Sequence, residues 1–107
     1  MRTLKEIVDE RRRIWMDNDM WTDGLDMIVS ELIQNHFMGD YRNVISFLDS
    51  LSEKDFDMFT QFYEDFIREF HSQELLDYMY RSVIKYPNLD IEKDVEWAQK
   101  EFSDNEN

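Results

Sequence analysis

Glycine and proline are almost absent from this chain, whose 107 residues include 2 Gly and 1 Pro. A sandwich or barrel of short strands needs such turn residues about every 8–12 positions, so the sequence excludes an all-β fold. Apolar residues instead recur at three- and four-residue steps along the whole chain, and a capping residue precedes most of these segments. This spacing is typical of amphipathic helices and predicts an all-α fold.

The length of the chain accommodates one domain, since domains usually contain about 100–200 residues. Hydrophobic residues make up 42% of the sequence, which is too apolar for a disordered acidic chain. We predict a single helical domain over residues 1–102 and a frayed acidic tail over residues 103–107. No apolar run reaches the length of a signal sequence or a membrane span, so we expect a cytoplasmic protein.

The apolar spacing predicts about six short antiparallel helices, arranged as a helical bundle or as a stack of αα-hairpins. They cover residues 4–17, 23–37, 41–51, 53–70, 73–86 and 90–102, with N-terminal caps expected at Thr3, Thr22, Asp40, Ser52 and Ser72. The fourth helix is the most aromatic, and its stripe includes Phe62 and Phe66, so we expect it at the centre of the core. Ile84 is expected in the buried stripe of the fifth helix.

Negative charge is concentrated in the part of the sequence that follows the first predicted helix. Residues 1–16 hold five basic and three acidic residues (+2), whereas residues 17–107 hold seven basic and 22 acidic residues (−15). An acidic surface repels phosphate, which disfavours nucleic acid and anionic membranes as partners and favours a basic protein. A charged surface also keeps a small protein soluble, so a purely solubilising role stays open.

Three consecutive arginines, Arg11 to Arg13, lie on the predicted first helix. Arg12 and Arg13 flank its apolar face, where Asp9 and Asp17 are at helical pairing distance. We therefore expect the triplet to act structurally rather than to bind phosphate.

The candidate partner-binding surface combines the loop after the first helix with the acidic outer face of the fourth. The loop places several carboxylates around Trp21, and an aromatic anchor surrounded by charge is typical of interface hot spots. Trp21 packing back onto the second helix is an equally good interpretation of the same residues. The predicted contact residues are Asp17, Asp19, Trp21, Asp23, Asp26, Asp57, Glu64 and Asp65.

No motif in the chain indicates catalysis. The chain has no cysteine and no glycine-rich phosphate loop. The segment that starts at Asp19 fails as a calcium loop, because Trp21 and Ser30 stand where carboxylates are required. His36 and His71 fall at predicted helix ends, where histidines usually cap carbonyl groups or lie exposed. We therefore expect no catalytic residue, no metal, no cofactor and no enzymatic activity.

Residues 40–48, 51–53, 71–76, 85–88 and 90–98 resemble the corresponding parts of small all-helical bacterial immunity proteins, which are encoded beside polymorphic or contact-dependent toxins. The resemblance covers roughly the last two-thirds of the chain and rests on caps and apolar positions. It implies a cytoplasmic protein without catalytic residues that binds and blocks one cognate toxin.

Together, the acidic surface and this resemblance predict an immunity or inhibitor protein, a monomer or weak dimer. Its partner would be a cationic protein such as a nuclease toxin, whose positive substrate groove it would cover. Two alternatives stay open: a phage or plasmid DNA mimic that inhibits restriction or CRISPR machinery, and a non-catalytic helical adaptor whose acidic surface only confers solubility.

Overall fold

The computed structural model of the chain describes residues 2–16 and 22–104, and within them every regular element is helical. The all-α prediction is confirmed. The elements are α1 (Leu4–Met16), α2 (Thr22–Asn35), α3 (Tyr41–Asp49), α4 (Glu53–Phe59), a 3₁₀ turn (Thr60–Phe62), α5 (Tyr63–Phe70), α6 (Gln73–Lys85) and α7 (Glu92–Asp104). In the described part of the chain, none of these helices has the length and apolar character needed to cross a membrane.

Most predicted helix starts are formed by the expected side chains. At the start of α1, the Thr3 hydroxyl accepts the Glu6 backbone N–H at 3.1 Å, and the Glu6 carboxylate accepts the Thr3 backbone N–H at 3.1 Å. The side chains of Asp40, Ser52 and Ser72 accept the backbone N–H groups of Arg42, Asp55 and Leu75 respectively. These contacts satisfy donors that a helix N-terminus leaves without an intrahelical partner.

The predicted fourth helix is not continuous. It divides into α4 and α5 at the 3₁₀ turn, where the Thr60 hydroxyl donates to the Asp57 carbonyl oxygen at 2.9 Å. Met58, Phe59, Thr60, Phe62 and Tyr63 are all buried. So many adjacent residues cannot all face the same side of a straight helix, and the turn directs both halves of the aromatic stripe into the core.

Two other helix ends differ from the prediction. α2 ends at Asn35 rather than Phe37, and the chain then reverses through Met38 and Gly39, which both have positive φ angles, 54° and 72°. Gly39 adopts this conformation at low cost because it lacks a Cβ atom. At the other end of the chain, α7 continues to Asp104, so the helix includes two residues that we had assigned to the tail.

The segment that the sequence placed at the centre of the core does lie there, with Phe66 and Ile67 fully buried on α5. α5 packs most extensively against α7, and the two helices run in the same direction, since Arg68 pairs with Glu101 and His71 with Phe102. α6 connects them and packs antiparallel to both. The C-terminal ends of α5 and α7 therefore lie side by side.

The prediction that Ile84 belongs to the buried stripe of α6 is wrong. Its side chain is 80% exposed. Ser82 is buried instead, and its hydroxyl lies 2.9 Å from the Tyr63 hydroxyl and 2.5 Å from the Met79 carbonyl oxygen. A buried tyrosine hydroxyl needs a hydrogen-bond partner, and this requirement favours a serine on the inward face of α6.

Two of the three arginines of α1 attach that helix to the rest of the bundle, and Arg13 pairs with Glu10 on α1 itself. The buried Arg11 donates from Nε to the Met58 carbonyl oxygen at 3.0 Å, and Arg12 pairs with Asp55 on α4 as well as with Asp9. The structural interpretation of the triplet is therefore confirmed for the pair of Arg12 with Asp9. The predicted alternative partner, Asp17, lies outside the described residues.

Candidate partner-binding surface

Half of the predicted contact residues can be placed in full. Asp17, Asp19 and Trp21 lie outside the described residues, and Asp23 is described only as a backbone position at the start of α2. The other four are Asp26 on α2, Asp57 on α4, and Glu64 and Asp65 on α5.

Asp26, Glu64 and Asp65 belong to one negative field that involves two helices. Glu64 and Asp65 are adjacent on α5 and share one cationic partner, Arg68. The negative charge of Asp26 on α2 acts on the Asp65 carboxyl together with that of Glu64. We call Asp26, Glu64 and Asp65 the acidic strip.

Arg68 lies at the edge of the acidic strip and connects it to α7. Its guanidinium forms ion pairs with Glu64 at 2.9 Å, Asp65 at 3.1 Å and Glu101 at 2.9 Å. The hydrogen bond to Glu101 contributes most to holding the pKa of Arg68 above its usual value. One guanidinium pairs with three carboxylates here, so the surface stays negative.

The ionised form of the Asp65 carboxyl is disfavoured in the unbound protein. Its partial burial raises its pKa, and the charges of Glu64 and Asp26 raise it further, while Arg68 opposes the shift. Keeping this group ionised therefore costs free energy in the unbound protein. A cation supplied by another molecule would reduce that cost.

Asp57 belongs to a different group of acids. It lies near Asp94 at the start of α7, close to Thr60, and Asp90 contributes to the same negative field. Burial raises the pKa of Asp94, Asp57 and Asp90 raise it further, and an interaction with the Thr60 hydroxyl opposes the shift. Asp94 was not among the contact residues predicted from the sequence. The four-residue spacing between Asp90 and Asp94 indicates that the two acids can lie close together. Only the packing of α7 on the 3₁₀ turn shows that Asp57 belongs to the same group.

Asp94→Asn is expected to gain stability relative to the parent protein as the pH rises from about 3 to 7. A folded-state pKa above the ordinary value means that ionising Asp94 costs stability, and asparagine removes that cost while keeping the volume. Asp94 also lies in the first turn of α7, where a negative charge is favourable, so we expect a net effect below about 1 kcal/mol. Urea unfolding across this pH range would measure it. The exposed Asp77→Asn is the control, and equal pH profiles for both variants would contradict the assignment.

An exposed apolar side chain accompanies the acidic strip. Met27 follows Asp26 on α2 and is 67% exposed. The sequence pointed to Trp21 as the apolar anchor of this surface, and Met27 is a second candidate that the same part of the chain provides. A flexible thioether is suited to contact an irregular partner surface.

Both histidines form contacts between distant segments. His36 Nε2 lies 2.8 Å from the Arg2 carbonyl oxygen, and His71 Nε2 lies 2.9 Å from the Phe102 carbonyl oxygen. The His71 ring also stacks on the Phe102 ring at a centroid distance of 4.3 Å. The expectation that these residues cap carbonyl groups is confirmed, although the carbonyls belong to other segments. Among residues 2–16 and 22–104, no group of three or more His, Asp or Glu side chains is arranged to hold a metal ion.

Compared with known proteins, the chain matches no family model, no curated protein and no solved structure.

Proposed function

We propose that this protein is a non-catalytic inhibitor of the immunity-protein kind, which acts in the cytoplasm by binding a cationic protein. The observation that carries the proposal is the acidic strip, because Glu64 and Asp65 are adjacent on α5 and the negative charge of Asp26 on α2 acts on Asp65. A nuclease toxin fits this surface, since an enzyme that binds nucleic acid must present positive charge to phosphate.

The charge of the whole chain supports the same partner. The formal net charge is -13, which attracts a basic protein over long distances and raises its association rate. At short range, the partly buried carboxylate of Asp65 would gain a cationic neighbour on binding. That attraction would offset part of the free energy that its burial costs.

The placement of the acidic strip on helices also favours tight binding. The acidic strip lies on regular helices whose buried faces belong to the core, so little conformational freedom would be lost when a partner binds. The exposed Met27 would add apolar contact beside the charges and slow dissociation.

Reversing the charge of the strip is expected to slow association. Once the partner has been captured from the native host and purified, Asp26→Lys combined with Glu64→Lys should lower the association rate about tenfold or more at low salt, because steering by charge is lost. The matched control is Glu53→Lys combined with Asp77→Lys, which changes the net charge equally on exposed positions of α4 and α6. Stopped-flow binding at several salt concentrations would measure both pairs.

Equal association rates for the two pairs of substitutions would contradict a specific role for the acidic strip. An association rate that does not depend on salt would favour the adaptor alternative, in which charge confers only solubility. The gene neighbourhood separates the two inhibitor hypotheses: a large toxin gene directly upstream supports the immunity protein, whereas an operon of early phage genes supports the DNA mimic.

A further inference from the structure

The outer face of α7 carries an exposed aromatic side chain between two lysines. Trp97 is 53% exposed, and Lys93 and Lys100 lie four residues before it and three after it on the same helix. The Lys100 ammonium lies 5.5 Å from the centroid of the Trp97 ring. Across residues 2–16 and 22–104, neither lysine forms an ion pair with a carboxylate.

Two carboxylates of α7 lie on the other side of Trp97 from the lysines and form a second row along the helix. Asp94 and Glu101 lie three residues before it and four after it, at the boundary of α7 with α5. Helical geometry therefore places the lysine row, which also includes Glu96, on one side of a line that passes through Trp97 and the carboxylate row on the other side. Asp94 is half-buried, and no cation within the described residues pairs with it.

These two rows are complementary to each other when two copies of α7 lie side by side in the same direction. A two-fold axis parallel to the helices brings the lysine row of each copy against the carboxylate row of the other. Lys93 then meets Asp94 of the second copy, and Lys100 meets Glu101, with about 1.5 Å between the heights of each pair. In the antiparallel arrangement, lysine would face lysine and carboxylate would face carboxylate.

We propose that the protein self-associates through α7 as a parallel two-fold dimer, with Trp97 of both copies at the centre of the contact. A second copy is favoured over an acidic peptide because it brings lysines to the carboxylate row as well as carboxylates to the lysine row, although Glu101 would then be shared with Arg68. The contact is weak, since one helix face buries less than the roughly 1,000 Å² expected of a stable interface and two copies of net charge -13 repel each other. Asp26, Glu64 and Asp65 lie on α2 and α5, outside this contact.

Sedimentation equilibrium on the full chain tests the dimer directly. The parent protein should show concentration-dependent self-association, and Trp97→Ala should raise the dissociation constant about tenfold or more. Lys93→Glu combined with Lys100→Glu should do the same, whereas the control Lys5→Glu with Lys54→Glu changes the net charge equally and should have a smaller effect. A parent protein that stays monomeric up to about 1 mM would overturn the proposal, as would equal weakening by the two pairs.

Spin labels test the direction of the helices. The chain contains no cysteine, so Asp90→Cys and Asp104→Cys each provide a single labelling site near one end of α7. A parallel dimer predicts short label-to-label distances for both variants. An antiparallel dimer separates the two labels of each variant by about 20 Å along the helix axis, and that result would overturn the proposed arrangement. Far-ultraviolet circular dichroism would show that each variant keeps its helical content.

Discussion

Phe66→Ala is expected to lower the free energy of unfolding by about 3–5 kcal/mol, the range found when a buried phenylalanine is truncated. Phe66 is fully buried on α5. Its ring packs edge-on against Phe37 at a centroid distance of 5.6 Å and lies 6.3 Å from the ring of Phe62. Removing the ring loses its transfer free energy and leaves a cavity that the surrounding helices fill only in part.

Phe62→Ala should cost a similar amount, although its ring lies in the 3₁₀ turn rather than in a helix. It packs against Phe59 at 5.7 Å, and the Arg11 guanidinium lies 5.7 Å from its ring centroid. Urea unfolding would measure both variants. Ile84→Ala is the control, because its side chain is exposed and should change stability by less than about 0.5 kcal/mol. Losses below about 1 kcal/mol at both phenylalanines would contradict a central role for this segment.

Asp55→Asn is expected to cost about 1.5–3 kcal/mol at pH 7, the second largest effect that the structure predicts. Asp55 is buried on α4 and accepts two hydrogen bonds from Arg12 on α1, from Nε at 2.8 Å and from Nη2 at 2.5 Å. Asparagine keeps the volume but loses the charge and one acceptor. Arg12 is half-exposed and retains Asp9, so we expect less than the full cost of breaking a buried ion pair.

The cost of Asp55→Asn should decrease in acid. The hydrogen bond from Arg12 holds the pKa of Asp55 below its usual value, so the carboxylate contributes stability above pH about 4 and loses it as the pH falls through the folded-state pKa. This dependence is opposite in sign to that of Asp94. Urea unfolding from about pH 2 to pH 7 would measure it. The control Arg42→Gln removes only the exposed pair with Asp40 and should change stability little at any pH in this range. An Asp55→Asn cost that stays constant with pH would contradict the ion pair.

The sequence by itself determined the helical class and most helix starts. Asp40, Ser52 and Ser72 each bond a backbone N–H group two or three residues ahead, and the apolar spacing repeats within a single turn or two. Such interactions are local, so composition and spacing are enough to predict them. Ile84 was assigned to the wrong face, since at 3.6 residues per turn it lies opposite the buried Leu75, whereas Ser82 lies on the same side as Leu75.

Only the tertiary structure decided which charges act together. The sequence grouped Asp57 with Glu64 and Asp65, but packing places Asp57 beside Asp94 and joins Asp26 to Asp65 instead. Glu101 pairs with Arg68 from 33 residues away, and nothing in the local pattern of α5 indicates that contact. The physical reason is that a helix face is determined by spacing within a few residues, whereas the neighbour it meets depends on how several helices rotate and cross to close one core.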